Sequence, residues 1–167
     1  MADESTRLEG YYLEATLQGH QGKHELAYHL FREVCEQRPG EVESCIFATQ
    51  AVLAANRPRE ALEFLNRVQN RFSDQPAHAA HYWASLARAQ LQLGRNADAL
   101  VSARHAHSLV GDKDADLSVL LAECLLRMSM VRDSREIIEA VLARQPSHAG
   151  ALKLKAELSQ VLGPLAQ

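Results

Sequence analysis

Aromatic residues are scarce in this chain: one Trp, four Tyr and four Phe among 167 residues. A core with so few rings must close through Ala and Leu, which favours helices packed at short distance through small side chains. Three cysteines, Cys35, Cys45 and Cys124, form no tight motif. An odd number suits free thiols in a reducing compartment better than a disulfide framework. No run approaches about eighteen uninterrupted apolar residues, so no membrane span is expected. The opening residues, MADESTRLEGYY, hold no basic segment followed by an apolar stretch, so no secretory signal is expected. Lys and Arg form no stripe and the net charge is −3, which is not the balance of a nucleic-acid binder. No segment alternates with the period of two that a strand needs. These absences leave a soluble, cytoplasmic, all-helical protein as the expectation.

The residues of catalysis are missing too. There is no Gly-rich phosphate loop, nucleophile elbow, HExxH or paired-carboxylate arrangement, so the chain is expected not to be an enzyme. Eight histidines invite a metal reading. His20 and His24 straddle a turn, His78 and His81 stand three apart, and His105 and His107 point to different sides of a helix. Zinc wants four convergent ligands, and none of the cysteines joins such a set. Surface histidines and small core cysteines are the simpler reading, with no metal and no cofactor.

What the chain does have is a repeated frame. Ala27 has counterparts at Ala61, Ala99 and Ser134, at intervals of 34, 38 and 35 residues. A turn residue stands five positions before each of the first three: Gly22, Asn56 and Gly94. A proline follows twelve after the first and the fourth, at Pro39 and Pro146. A period in the mid-thirties means stacked helical hairpins, each too small to bury its own apolar face.

The breakers predict nine helices. The first is capped by Ser5 or Thr6 and runs to Gln18; the next four are Lys23 to Gln37, Glu41 to Ala55, Pro58 to Phe72 and His78 to Leu93. Ala97 to Val110, Asp116 to Met128, Asp133 to Arg144 and a last helix from Ser147, its N-cap, to Leu162 complete the set. Pro58 suits the first turn of its helix, where a missing N–H costs nothing. The linker Ser73-Asp74-Gln75-Pro76 carries the extra residues of the longest interval, and Gly163-Pro164 ends the last helix. The apolar all-round helix at 117–128 should be buried on two sides.

The third hairpin, with Trp83, Leu86, Ala87, Gly94 and Ala99, resembles the tetratricopeptide repeat at the right intervals. The other units match in part: Tyr11, Ala15, Gly22, Ala27, Phe31 and Pro39; then Ala48, Ala61 and Leu65; then Leu121, Ala122, Ile138 and Pro146. The resemblance covers residues 8–146. It implies an all-α, right-handed superhelical stack with repeats near 8–41, 42–79, 80–114 and 115–148, and a capping helix at 148–162, all within one domain, 1–167. Departures from the pattern are Ser134 in place of alanine, Ala103 in place of a large aromatic, and Gln18 and Gln90 at a normally apolar position.

In that family the first helix of each pair lines a concave groove. Cys45, Ala48 and Val52, Trp83, Leu86 and Ala87, and Leu121, Ala122 and Leu125 would face the core. The period then leaves Tyr12 and Thr16, Ile46, Gln50 and Leu53, Ala84, Arg88, Leu91 and Gln92, and Val119, Glu123, Leu126 and Arg127 on the inner face. Ile46 with Leu53, Ala84 with Leu91 and Val119 with Leu126 would form an apolar strip crossed by Gln50, Arg88 and Glu123. Such a strip suits an amphipathic helix or an extended segment of another protein. The competing reading is that the closing helix or the stack's own curvature covers part of it, or that it serves as a homodimer contact in a self-associating scaffold. The lysines and asparagines that clamp a terminal carboxylate in chaperone-binding members are absent, since Tyr12, Thr16, Ile46 and Gln50 stand at those places. The expectation is an adaptor or chaperone for another protein, similar in size and layout to the tetratricopeptide-type chaperones of bacterial type III secretion.

Overall fold

A computed structural model describes residues 4–73 and 75–163. Asp74 and Pro164, assigned above to the linker and the final stop, lie outside the described residues. Among the described residues there are nine α-helices and no strand. They are α1 (Glu4–His20), α2 (His24–Gln37), α3 (Val42–Ala54), α4 (Pro58–Val68), α5 (Pro76–Gln92), α6 (Asn96–Val110), α7 (Ala115–Arg127), α8 (Val131–Arg144) and α9 (Ala149–Leu162). Short 3₁₀ turns at 69–72 and 111–113 follow α4 and α6.

Every expected helix is present, and the differences lie at the ends. Ser5 and Thr6 sit inside α1 rather than capping it. The cap of α9 is His148, not Ser147: its Nδ1 accepts the Ala151 N–H at 3.2 Å. Asp114 caps α7 in the same way, accepting from the Leu117 N–H at 3.0 Å. Pro58 opens α4 as expected, but the last residues of that segment tighten into the 69–72 turn.

The four hairpin turns are built alike. Gly22, Asn56, Gly94 and Ser129 all adopt left-handed backbone, with φ of 76°, 57°, 73° and 61°. The residue after each donates its N–H back across the helix end, from Lys23 to Gln18, Arg57 to Val52, Arg95 to Gln90 and Met130 to Leu125, at 2.9–3.1 Å. This is the six-to-one closure of a Schellman turn, which satisfies carbonyls the helix leaves open. The same four residues then accept from Ala27, Ala61, Ala99 and Ser134 at 3.0–3.1 Å, starting the next helix. The small residue nine positions after the last-turn carbonyl is therefore locked to the turn by backbone alone. Ser129 is the member that composition concealed. Ser129→Gly should raise stability by roughly 0.5–1 kcal/mol, relief of left-handed strain outweighing the added chain entropy. A urea midpoint that falls instead would show that no strain resides there.

Packing follows the hairpin order. Each helix rests on its chain neighbour, and α3 packs on α5, α5 on α7, and α7 on α9. Three apolar clusters result: one through α1 to α5 around Tyr28, Phe64 and Leu65; one through α5 to α7; and one joining α7, α8 and α9 around Ile138 and Leu154. Ala27, Ala61, Ala99 and Ser134 are wholly buried, where small side chains let helix axes approach. Helix α7 is buried through eight residues, including Leu117, Leu121 and Leu125.

Three of the four departures from the repeat pattern have local compensations; the fourth, Gln18, donates to Glu14 but leaves its buried Oε1 without a hydrogen-bond partner among the described residues. Where the second and fourth units place Val52 with Phe64 and Leu125 with Ile137, the third places Gln90 with Ser102. The Ser102 hydroxyl donates to Gln90 Oε1 at 2.8 Å, so an apolar pair is replaced by a satisfied polar one. Ser134 donates to the Ala122 carbonyl at 2.7 Å. Trp83 packs against the cluster that holds Ala103, 4.4 Å from the His105 ring, and so supplies bulk that Ala103 lacks.

One expectation is overturned in the first cluster. Cys35, near the end of α2, and Cys45, in the first turn of α3, form a disulfide with Cα atoms 5.0 Å apart. Their places on consecutive helices bring the two near each other, and the tight reversal at residues 38–41 aims both side chains at the same interior point, so they pair instead of standing as separate small core residues. Cys124 is free and buried, and burial pushes its thiol up to about 12.

Candidate functional site

Helix α1 rests closely on α2 and only loosely on α3. Between them opens a hollow of about 500 Å³. Small side chains make the space: Ala15 and Gly19 on α1, Ala27 on α2, and Ala51 and Ala54 on α3. Aromatic rings line its other end. Tyr12 meets Phe31 edge-on at 5.5 Å and Phe47 at 6.1 Å, while Phe31 and Phe47 lie 5.4 Å apart. Phe31 is buried, Tyr12 half-buried, and Phe47 keeps 36% of its surface exposed. His20 and His24 stand at the opposite rim.

The hollow continues along the odd-numbered helices. Gln50 and Ala54 border it and also a second depression of about 370 Å³, which Leu53, Ser85, Arg88 and Gln92 complete. Gln92 Nε2 donates to the Leu53 carbonyl at 3.1 Å, tying α5 to the end of α3. The half-buried Arg88 guanidinium meets no ion pair or hydrogen bond among the described residues. Its charge is felt nearby: with desolvation first, then despite an opposing pull from Asp114, it helps hold His81 below the ordinary imidazole range.

The expected apolar strip is not a surface. Ile46, Leu53, Ala84 and Leu126 are buried, because neighbouring odd helices approach closely enough to enclose the residues between them. Leu91 is half-buried against the second cluster. Val119 abuts Gly150 of α9, where an added Cβ would lie 3.4 Å from its methyl. Arg127 pairs with Glu123 at 3.6 Å and with Glu157 of α9 at 3.7 Å. The closing helix thus covers the α7 end. Tyr12, Thr16, Gln50, Arg88 and Gln92 remain on the open wall. Phe47 was missed; the signal was its rarity, one of nine aromatic residues and next to the residue chosen in its place.

The histidines are dispersed. His78 lies 3.9 Å from Glu43, His107 3.1 Å from Asp112 and His148 3.2 Å from Asp116. Among the described residues no three His, Cys, Asp or Glu side chains converge as metal ligands, and no helix is long and apolar enough to cross a membrane.

Comparison with known proteins follows the same lines. No curated protein matches the sequence. Residues 20–82 match the family model of a tetratricopeptide repeat. Among solved structures, a thermophilic tetratricopeptide protein of Thermus thermophilus is 18% identical with a TM-score of 0.70, over 90% of this chain and 80% of that one. A kinesin light chain of Podosopora anserina with nearly identical tetratricopeptide-like repeats is 19% identical, TM-score 0.67, over 94% and 86%. YrrB, described as a tetratricopeptide protein with an unusual peptide-binding site, is 18% identical, TM-score 0.58, over 84% and 70%. Residues 20–82 therefore resemble a tetratricopeptide repeat in sequence, and the described chain shares the all-α helical-repeat fold of these solved structures.

Proposed function

We propose that this chain is a non-catalytic protein-binding module, a cytoplasmic adaptor or chaperone that seats an apolar anchor of a partner protein between α1 and α3. The partner segment then runs over Gln50 toward Arg88 and Gln92. The observation that carries this reading is Phe47, a half-open ring beside Tyr12 and Phe31 at the mouth of a hollow of about 500 Å³. An exposed aromatic next to an apolar cavity is costly in water and gains most from being covered. The free Arg88 guanidinium adds a preference for a carboxylate further along the segment. The peptide-binding site named for YrrB supports a groove of this kind. Holding a substrate for bacterial secretion, as tetratricopeptide chaperones of type III export do, is one setting such a module fits.

A self-associating scaffold is the second reading, favoured by Leu13 and Leu17, one turn apart on α1 and 69% and 51% exposed. The buried strip residues could not form its interface.

Peptide arrays followed by calorimetry test the first reading. Peptides with a large apolar residue and a nearby acidic one should bind, and Phe47→Asp and Arg88→Glu should each weaken them at least about tenfold, or about 1.4 kcal/mol. Helix content should stay unchanged in both. Equal affinity for wild type and both variants would remove the groove from the account. A dimer that dissociates on Leu13→Asp, with no peptide bound, would favour the scaffold.

A further inference from the structure

The Cys35–Cys45 bond lies one helical turn from the hollow. Phe31 stands four residues before Cys35 on α2, and Phe47 two residues after Cys45 on α3, so the bond clamps the two helices that carry this ring pair. Both cysteines are wholly buried. A third group meets them: Arg71, from the 69–72 turn, places Nη1 3.4 Å from Cys35 Sγ and 3.8 Å from Cys45 Sγ and donates to the Cys35 carbonyl. A guanidinium gains little from a neutral disulfide and much from a thiolate. In a reducing cytoplasm a disulfide persists only conditionally.

We propose that Cys35 and Cys45 form a reversible thiol–disulfide latch, opened by a dithiol reductant with Arg71 receiving the leaving thiolate, that sets the shape of the partner-binding hollow. This rests on the reading of the hollow given above. A reductant thiolate attacks Cys45 Sγ and the S–S electron pair leaves on Cys35 Sγ, the sulfur nearer Arg71. The reductant's second thiolate then attacks the mixed disulfide and releases Cys45. The reductant is oxidised to its own disulfide, and its two protons pass to the cysteines, or to water for a sulfur held as thiolate. Burial of both sulfurs makes the attack wait for the 38–41 and 69–72 turns to part. Once the bond is broken, the sulfurs require van der Waals separation. The end of α2 then shifts from α3, and the Phe31–Phe47 spacing is no longer held.

The test uses the full chain, dithiothreitol as reductant and anilinonaphthalene sulfonate as the probe of the hollow. Alkylation after denaturation should label Cys124 alone in the oxidised protein and all three cysteines after reduction. The reduced protein, still helical by circular dichroism, should bind the probe at least about fivefold more weakly. Cys35→Ala/Cys45→Ala should show the reduced value with or without dithiothreitol. Arg71→Leu should slow reduction about tenfold and Arg71→Lys should largely restore it. Equal probe affinity in both redox states, unfolding on reduction, or an unchanged rate in Arg71→Leu would overturn the latch. Phe47→Ala should weaken the probe in the oxidised state. If it does and the redox states still agree, only the latch fails. If it does not, the binding hollow fails with it.

Discussion

Phe64→Ala lowers the unfolding free energy by about 3–5 kcal/mol, the usual range for emptying a buried aromatic site. Phe64 of α4 is wholly buried in the cluster that joins α1 to α5. Its ring meets Tyr28 of α2 edge-on at 5.8 Å, so it links the second helices of the first two hairpins directly. Tyr28 is buried as well, with the Arg32 guanidinium over its ring at 5.5 Å; burial first, then Glu60, pushes its hydroxyl above the ordinary phenol range against the opposing pull of Arg32. The Tyr28 ring is itself held by the packing of the same cluster, so it cannot swing freely into the vacated space and the cavity should persist. Arg67 lies over the Phe64 ring at 5.7 Å, but its side chain is largely exposed and adds well under about 1 kcal/mol. Urea denaturation measures the loss. Hydrogen exchange should place it in α1 to α5, with α8 and α9 protected as before; a cost below about 1 kcal/mol would mean that the site collapses.

Ile138→Ala should cost about 2–5 kcal/mol, and the damage should stay at the other end of the stack. Ile138 is buried among Val141 of α8 and Ala151, Leu154 and Leu158 of α9. Helix α9 rests chiefly on α7 and α8 among the described elements, and no disulfide crosses this cluster. In a repeat stack each unit is stabilised chiefly by its neighbours, so a defect near the end lowers the cost of fraying that end. Exchange should accelerate in α8 and α9 while the α1–α3 hollow keeps its protection and its probe affinity. Uniform loss along all nine helices would show that the chain unfolds as one block instead.

The helical frame was legible because it is written locally. Gly22, Asn56 and Gly94 announce left-handed turns by residue type, and the small residue five positions later marks the close approach. Ser129 performs the same turn without advertising it, since serine rarely adopts that backbone and only the repeat spacing points to it. Caps were less legible: Ser147 and Ser5 looked suitable, yet His148 holds the one and α1 begins before the other. A cap depends on where the first turn starts, which shifts by a residue or two at small cost.

The candidate site was only half legible. Helical periodicity put Tyr12, Gln50, Arg88 and Gln92 on the groove side, and none of the four is buried. It failed for Ile46, Leu53, Ala84 and Leu126, because periodicity says which face of a helix is apolar and not how near the next helix comes. The looser fit of α1 on α3 created the hollow, and the closer fit of α3, α5 and α7 sealed the rest.

The amino-acid sequence by itself determined the nine helices of the described residues and their hairpin pairing, since each depends on neighbours within one or two helical turns. Only the tertiary structure decided that Cys35 meets Cys45 beside Arg71, that Gln90 is answered by Ser102, and that Phe47 stands at an open hollow. Those facts depend on distances between helices, and such distances are set by the summed packing of many side chains rather than by any local pattern.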